Sequence, residues 1–167
     1  MLKYLNCQVV FAEVPDEISL AINITNCPIH CPGCHSKELW NDIGEPLTKS
    51  VLEDLLTSNR GVTCVCFMGG DSEPLEVNDL SKWVHEHYGN TIKTAWYSGK
   101  DGYPIFTPDF DYIKIGSYQE NKGPINVRTT NQRMVKINHP MPGELQPEYS
   151  WYMEDITYKF WKDDTNL

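Results

Sequence analysis

The alternation of polar and apolar residues near the start of the chain predicts two β-strands. Residues 3–12 form the first strand and residues 17–25 form the second. From Glu17 to Ile24 the side chains alternate in polarity, as they do in a strand with one buried face. The second strand runs directly into a segment rich in cysteine and proline, so we expect this segment at a strand end.

Apolar residues then recur at helical spacing in two segments of the chain. The first predicted helix runs from Leu47 to about Asn59, with Thr48 as its N-cap, and Gly61 ends the pattern. The second predicted helix runs from Val77 to Tyr88. Each helix is preceded and followed by a predicted strand.

Short runs of β-branched and aromatic residues predict further strands at 62–68, 91–97, 111–116 and 133–138. Strands that alternate with helices in this order indicate parallel βαβ units. A closed eight-fold barrel takes about 250 residues, and this chain has 167. We therefore expect an α/β fold, a partial, open (β/α) barrel with mostly parallel strands. Residues 1–167 are expected to form one domain, with a core over 17–138 and an aromatic tail, 149–161, of unassigned role.

Composition and charge narrow the classes of protein. The chain is 40% hydrophobic and 11% aromatic, which is typical of a globular protein. No apolar run approaches the ~20 residues of a membrane span, and the first residues lack the apolar stretch of a signal peptide. We therefore expect a cytoplasmic protein with no membrane partner. The formal net charge of −9 argues against a nucleic-acid partner, because binding phosphates requires a basic surface.

The segment between the second strand and the first helix carries the clearest candidate chemistry. Cys27, Cys31 and Cys34 lie within eight residues at Cys-x3-Cys-x2-Cys spacing. Three thiolates so close together can bind three irons of a cubane [4Fe–4S] cluster and leave the fourth iron open to a small molecule. Gly33 lets the backbone of this loop approach a ligand closely.

Two other interpretations of these cysteines stay open. A structural zinc site is possible in principle, although the adjacent positions of Cys34 and His35 make it awkward for both to bind one ion. Inert thiols are the other alternative. A disulfide is disfavoured, because an odd number of neighbouring cysteines leaves one over and no export signal is visible. The remaining cysteines, Cys7, Cys64 and Cys66, are predicted to be small buried hydrophobic residues.

A glycine-rich turn follows the strand at 62–68. Gly69 and Gly70 expose the backbone at the strand end, and Asp71 places an acid beside it. Alone, such a turn is more often an ordinary connection between a strand and a helix. Here it comes one βα unit after the cysteine loop, which makes it a candidate ligand site.

Together these motifs resemble the radical S-adenosylmethionine (SAM) superfamily. Its members hold a [4Fe–4S] cluster on a Cys-x3-Cys-x2-Cys loop, bind SAM at the open iron and contact the SAM amino group through a glycine-rich turn. The run from Asn26 to Trp40, with its Cys-Pro-Gly-Cys element, is similar to activating proteins of anaerobic ribonucleoside-triphosphate reductase. The similarity continues at 69–74, 96–99, 111–116 and 128–133.

This resemblance implies an activase with a partial barrel of the radical SAM type. It would cleave SAM reductively at the cluster and generate a glycyl radical on the large subunit of the reductase. A flavodoxin-like or other low-potential donor would supply the electron. The cluster ligands would be Cys27, Cys31 and Cys34. The predicted cofactor contacts are Gly33, His35, Gly69, Gly70, Asp71, Ser98, Gly99 and Lys114, and either Asp71 or Glu73 would be the acid that contacts SAM.

Two other functions are kept as alternatives. One is a small radical SAM enzyme that acts on a small molecule, similar to a deazapurine synthase. The other is a zinc-binding module without catalytic activity. The sequence does not identify the target glycine, the electron donor or the oligomeric state.

Overall fold

A computed structural model of the chain describes residues 1–139 and 150–162. Its two α-helices are α1 (Lys49–Ser58) and α2 (Pro74–Tyr88). Its strands are β1 (Lys3–Val10), β2 (Ser19–Ile24), β3 (Glu45–Pro46), β4 (Cys64–Met68), β5 (Lys93–Tyr97), β6 (Tyr112–Ile115), β7 (Arg133–Asn138) and β8 (Tyr152–Asp155). Short 3-10 helices lie at Lys37–Trp40, Thr107–Asp109 and Thr157–Phe160. All eight strands belong to one open sheet, in the order β3-β1-β2-β4-β5-β6-β7-β8.

The sheet is mixed, with a parallel centre and antiparallel sides. The parallel pairings join β2 to β4, β4 to β5 and β5 to β6, whereas the other four pairings are antiparallel. The expectation of mostly parallel pairing is therefore right for the centre and wrong for the sides. The loop of residues 11–18 between β1 and β2 is shorter than the dozen or more residues that a parallel crossover requires. The partial barrel stays a prediction.

Both helices form where the apolar periodicity places them. The hydroxyl of Thr48 accepts a hydrogen bond from the Val51 N–H at 3.2 Å, which confirms the predicted N-cap of α1. Helix α2 begins at Pro74, three residues before the predicted start. Proline suits the first turn of a helix because its fixed φ is helical and its missing N–H would have no partner there.

The two faces of the sheet are covered by different parts of the chain. One face packs against α1 and α2 through residues such as Phe67, Trp96 and Ile113. The other carries Cys64, Cys66, Ala95, Tyr112 and Met134. Its cover comes from residues outside α1 and α2, namely Val14, Ile125, Ile156 and Phe160.

The aromatic tail has a structural role that the sequence did not reveal. Tyr149 lies outside the described residues, but β8 pairs with β7 and Ile156 is buried against the second face. The tail therefore adds a strand to the sheet and helps to cover the face that α1 and α2 leave open. Within the described part of the chain, no helix combines the length and the apolar character needed to cross a membrane.

A buried carboxylate ties the starts of the central strands together. Glu17 accepts hydrogen bonds from Lys93 Nζ at 2.5 Å and from the Tyr112 hydroxyl at 2.8 Å through one oxygen, and from the Thr63 hydroxyl at 2.6 Å through the other. Its side chain is only 5% exposed. The three donors precede or begin β4, β5 and β6, so this cluster anchors the edge of the sheet opposite the cysteine loop.

Candidate functional site

The predicted site residues meet at the carboxyl ends of the parallel strands. The strand register aligns Asn23 with Met68, Met68 with Tyr97, and Tyr97 with Lys114, in one row across β2, β4, β5 and β6. The segments that follow this row are the cysteine loop, the Gly69–Asp71 turn and the Ser98–Gly99 pair. Parallel strands end at the same edge of a sheet, which is why residues far apart in sequence come together here.

The cysteine loop is closed at its base by two backbone hydrogen bonds. The N–H groups of Asn26 and Cys27 donate to the carbonyls of Asn41 and Leu39, at 2.9 and 3.0 Å. Between these bonds the backbone turns through positive φ angles at Asn26, His30 and Gly33. Such angles are easy for glycine and tolerated by asparagine, so the loop follows a tightly curved path.

The three cysteines of the loop are free thiols, each partly exposed. The Cys34 N–H donates to the Cys31 carbonyl at 3.1 Å, and the Ser36 N–H donates to Cys34 Sγ at 3.4 Å. Within residues 1–139 and 150–162, no three His, Cys, Asp or Glu side chains are gathered as the ligands of a single metal ion would be. A cubane does not need this convergence, because each thiolate binds a different iron. The donor set of this loop, three free cysteines within eight residues, is of the kind that binds three irons of a cubane.

The Gly69–Asp71 turn is held by hydrogen bonds to the end of β5. Gly69 donates its N–H to the Tyr97 carbonyl at 3.0 Å, and its own carbonyl accepts the indole N–H of Trp96 at 2.8 Å. The carboxylate of Asp71 accepts the Ser98 hydroxyl at 2.5 Å and the Gly99 N–H at 2.7 Å. Asp71 is 5% exposed. It thus clamps the ends of β4 and β5 together, and its predicted contact with SAM stays a prediction.

The two glycines of this turn are required by packing. A Cβ on Gly70 would lie 2.5 Å from Val77 Cγ2, and one on Gly69 would lie 3.0 Å from the Ile24 carbonyl oxygen. Both residues have positive φ, near 100°. No other residue type fits this turn without moving β2 or α2.

The end of β5 also contacts the cysteine loop directly. A Cβ on Gly99 would lie 2.9 Å from Ile29 Cγ1, so only glycine lets the loop pack so closely. On the opposite side, Gly33 lies against Tyr118 and Glu120, and the His35 ring is tilted against the Tyr118 ring with centroids 5.7 Å apart. The loop is therefore held between the end of β5 and the segment that follows β6.

Among the predicted site residues, Lys114 is the basic side chain whose pKa burial shifts strongly. Its ammonium lies 5.4 Å from the centre of the Tyr97 ring and 3.4 Å from the Gly116 carbonyl oxygen. Burial lowers the pKa of Lys114 to about 8, against the opposing effect of the negative charges of Cys31 and Asp71. At pH 7 the side chain is protonated, and its ammonium lies over the Tyr97 ring at the end of β5.

A cleft of about 480 Å³ opens beside the cysteine loop. Its walls are Pro32, Tyr118, Gln119, Glu120 and Asn121. The cleft does not reach the glycine turn or Lys114, but its walls Tyr118 and Glu120 lie against Gly33, one of the predicted cofactor contacts. Tyr118 was not identified from the sequence, because a polar segment after a strand gives no sign of the loop against which it folds.

The other cysteines are placed away from the loop. Cys64 and Cys66 are fully buried on the second face of the sheet, as their alternate positions in β4 predict. Burial raises the pKa of both thiols well above the ordinary value. Cys7 packs against the helical face, and burial raises its pKa as well. All three are therefore protonated thiols near neutral pH, unlike cluster ligands, which bind as thiolates.

Comparison with known proteins agrees with this assignment of the loop. Residues 18–104, just over half of the chain, match a family model described as a 4Fe-4S single cluster domain. The matched region begins one residue before β2 and includes the cysteine loop, the glycine turn and Ser98–Gly99. No curated protein and no solved structure matches the chain.

The first prediction separates packing from ligand binding at the glycine turn. Gly70→Ala should lower the free energy of unfolding by about 1–3 kcal/mol more than Gly61→Ala. Both glycines have φ near +95°, but a Cβ on Gly61 has no neighbour within 4 Å. Urea unfolding of the two variants measures the difference. Equal losses would mean that Val77 moves aside without cost, and that the turn is free to change shape around a ligand.

The second prediction concerns the buried thiols and pH. Cys64→Ala should destabilise the protein near pH 7, and this penalty should shrink by about 1–2 kcal/mol between pH 7 and pH 10. The pKa of Cys64 is raised by folding, so its stabilising effect is complete below the unfolded pKa of about 8.5 and declines as pH rises above it. Unfolding should be measured beside Val65→Ala, a buried neighbour without a titrating group. Penalties that stay parallel across pH would show that the folded thiol ionises as readily as the unfolded one.

Proposed function

This chain belongs to the family of 4Fe-4S single cluster domains, and we propose that it is a radical SAM activase of anaerobic ribonucleoside-triphosphate reductase. The observation that carries the proposal is one juxtaposition at the carboxyl edge of the sheet. There the Cys27–Cys34 loop, the Gly69–Asp71 turn and Lys114 border the same region. When bound, the cluster would supply one low-potential electron for the reductive cleavage of SAM.

The ligands of the cluster in this proposal are Cys27, Cys31 and Cys34. They lie on one loop whose base is closed by hydrogen bonds and whose flank is packed against Gly99, so the loop is fixed relative to the strand ends. One iron would have no protein ligand, since Cys64 and Cys66 are fully buried within β4 and their raised pKa keeps them as thiols.

The protein side of cofactor binding rests on Lys114. SAM presents an amino group and a carboxylate, and a protonated lysine at the end of β6 suits the carboxylate. Its ammonium lies over the Tyr97 ring and near the Gly116 carbonyl oxygen, at the ends of β5 and β6. The Gly69–Asp71 turn would contact the SAM amino group, and packing against Ile24 and Val77 keeps its two glycines in place.

The glycyl radical substrate is supported by the open side of the loop. The cleft bordered by Pro32 and Tyr118 is open to solvent beside the cysteine loop. A reactive centre near the surface of a short chain suits a protein substrate, because a loop of that substrate can cover the centre. A flavodoxin-like donor would deliver the electron to the partly exposed loop.

The experiment for this function is electron paramagnetic resonance on the reconstituted system. The iron-loaded chain, SAM and a low-potential reductant should produce a glycyl radical doublet when the reductase is added. Alanine at Cys27, Cys31 or Cys34 should abolish both the cluster absorbance and the doublet, whereas Cys64→Ala should retain both. A reductase whose target glycine is changed to alanine should bind and gain no doublet. A radical on a free small molecule, formed without reductase, would instead assign the chain to small-molecule chemistry.

A separate prediction concerns the SAM carboxylate. Lys114→Met should weaken SAM binding by about 10–100-fold, the cost of losing a hydrogen bond between charged groups. The iron content should be unchanged. Lys100→Met is the matched control, because Lys100 is exposed at the same end of the sheet. Calorimetric titration of SAM into both iron-loaded variants measures the two affinities. Equal affinities would show that Lys114 does not bind SAM.

A further inference from the structure

The indole N–H of Trp40 is buried and has no hydrogen-bond acceptor. Burying an unpaired donor costs about 1–3 kcal/mol, and native proteins rarely leave one in this state. The other central tryptophan, Trp96, has its N–H satisfied by the Gly69 carbonyl. The Trp161 N–H is buried and unpaired as well, but Trp40 lies beside the cysteine loop, where a bound group could accept from it.

Trp40 lies on the cysteine loop. Its ring stacks on the His30 ring, with centroids 4.7 Å apart and planes 17° from parallel. The residues on either side, Leu39 and Asn41, accept the backbone N–H groups of Cys27 and Asn26. The indole is thus fixed to the loop through its ring and through both neighbouring peptides.

The same segment already directs one donor at a cysteine sulfur. The N–H of Ser36 donates to Cys34 Sγ at 3.4 Å, and the 3-10 helix that ends in Trp40 begins one residue later. Lys37 adds a positive charge 5.8 Å from the centre of the Trp40 ring. The residues that follow the last cysteine therefore supply donors and positive charge to the loop.

We propose that the indole N–H of Trp40 donates a hydrogen bond to a sulfur of the bound cluster, either a sulfide or a cysteine thiolate. Reduction adds one electron and makes these sulfurs more negative, so a donor stabilises the reduced form and raises the reduction potential. Trp40 is then a positioning residue that tunes the cluster. The inference rests on cluster binding and is independent of the activase proposal.

The test is the reduction potential of the iron-loaded protein. Trp40→Phe keeps an aromatic ring against His30 and removes the N–H. If the hydrogen bond contributes tenfold to the reduction equilibrium, the potential falls by about 59 mV for one electron. Trp161→Phe is the matched control, because the Trp161 N–H is likewise buried and unpaired but lies in the tail, under the Arg128 guanidinium. That variant should leave the potential unchanged.

A second substitution keeps the test decisive if Trp40→Phe binds iron poorly. Replacing Trp40 with benzothienylalanine preserves the shape of the indole and exchanges the N–H for a sulfur. Its potential should fall as in Trp40→Phe, and the shift of the iron–sulfur stretching bands on transfer to D2O should shrink. A change in packing alone would leave this isotope shift intact. The proposal is overturned if the benzothienylalanine variant, fully loaded with iron, keeps the reduction potential and the isotope shift of the wild type.

Discussion

The Asp71 carboxylate is the contact on which the geometry of the site depends. It joins the ends of β4 and β5 by accepting hydrogen bonds from Ser98 and from the Gly99 N–H, and it does so while almost fully buried. Hydrogen bonds to a buried carboxylate are strong, and leaving the charge without its donors is costly. Because Gly99 in turn packs against Ile29, the position of the cysteine loop follows from this clamp. A change at Asp71 would therefore move the loop even if the residue never contacts a cofactor.

The two faces of the sheet serve different purposes. The helical face holds most of the large apolar side chains and supplies the hydrophobic stabilisation of the fold. The other face carries small or polarizable residues, including Cys64, Cys66 and Met134, under a cover of loops and the tail. At its carboxyl end this second face carries Tyr97 and the ammonium of Lys114. Lys114 therefore lies where the face that α1 and α2 leave uncovered meets the ends of the parallel strands.

Local patterns predicted the parts of this structure that local interactions determine. The apolar stripe and N-cap of α1, the strand at β4 and the facing of Cys64 and Cys66 follow from spacing of a few residues. The antiparallel sides did not follow, because strand direction depends on which partner a strand finds and how long the connection is. β8 was missed since all four of its residues are exposed, so no buried face marks it. The internal role of Asp71 depends on partners 27 and 28 positions away, which no local pattern can show.

The net charge of the chain affects how easily the cysteine loop can hold an added electron, and the hydrogen-bond donors around the loop act against that effect. With a formal net charge of −9, the protein opposes the addition of an electron to any anionic centre it holds. Distant charges are screened over about 10 Å at ordinary salt, so groups next to the centre have the larger effect. Here those groups include the Ser36 amide at Cys34 Sγ, the unpaired indole N–H of Trp40 and the ammonium of Lys37, and also the Glu120 carboxylate, which lies against Gly33. The donors and the lysine in the segment after the last cysteine therefore oppose the effect of Glu120 and of the acidic surface on an electron added at the loop.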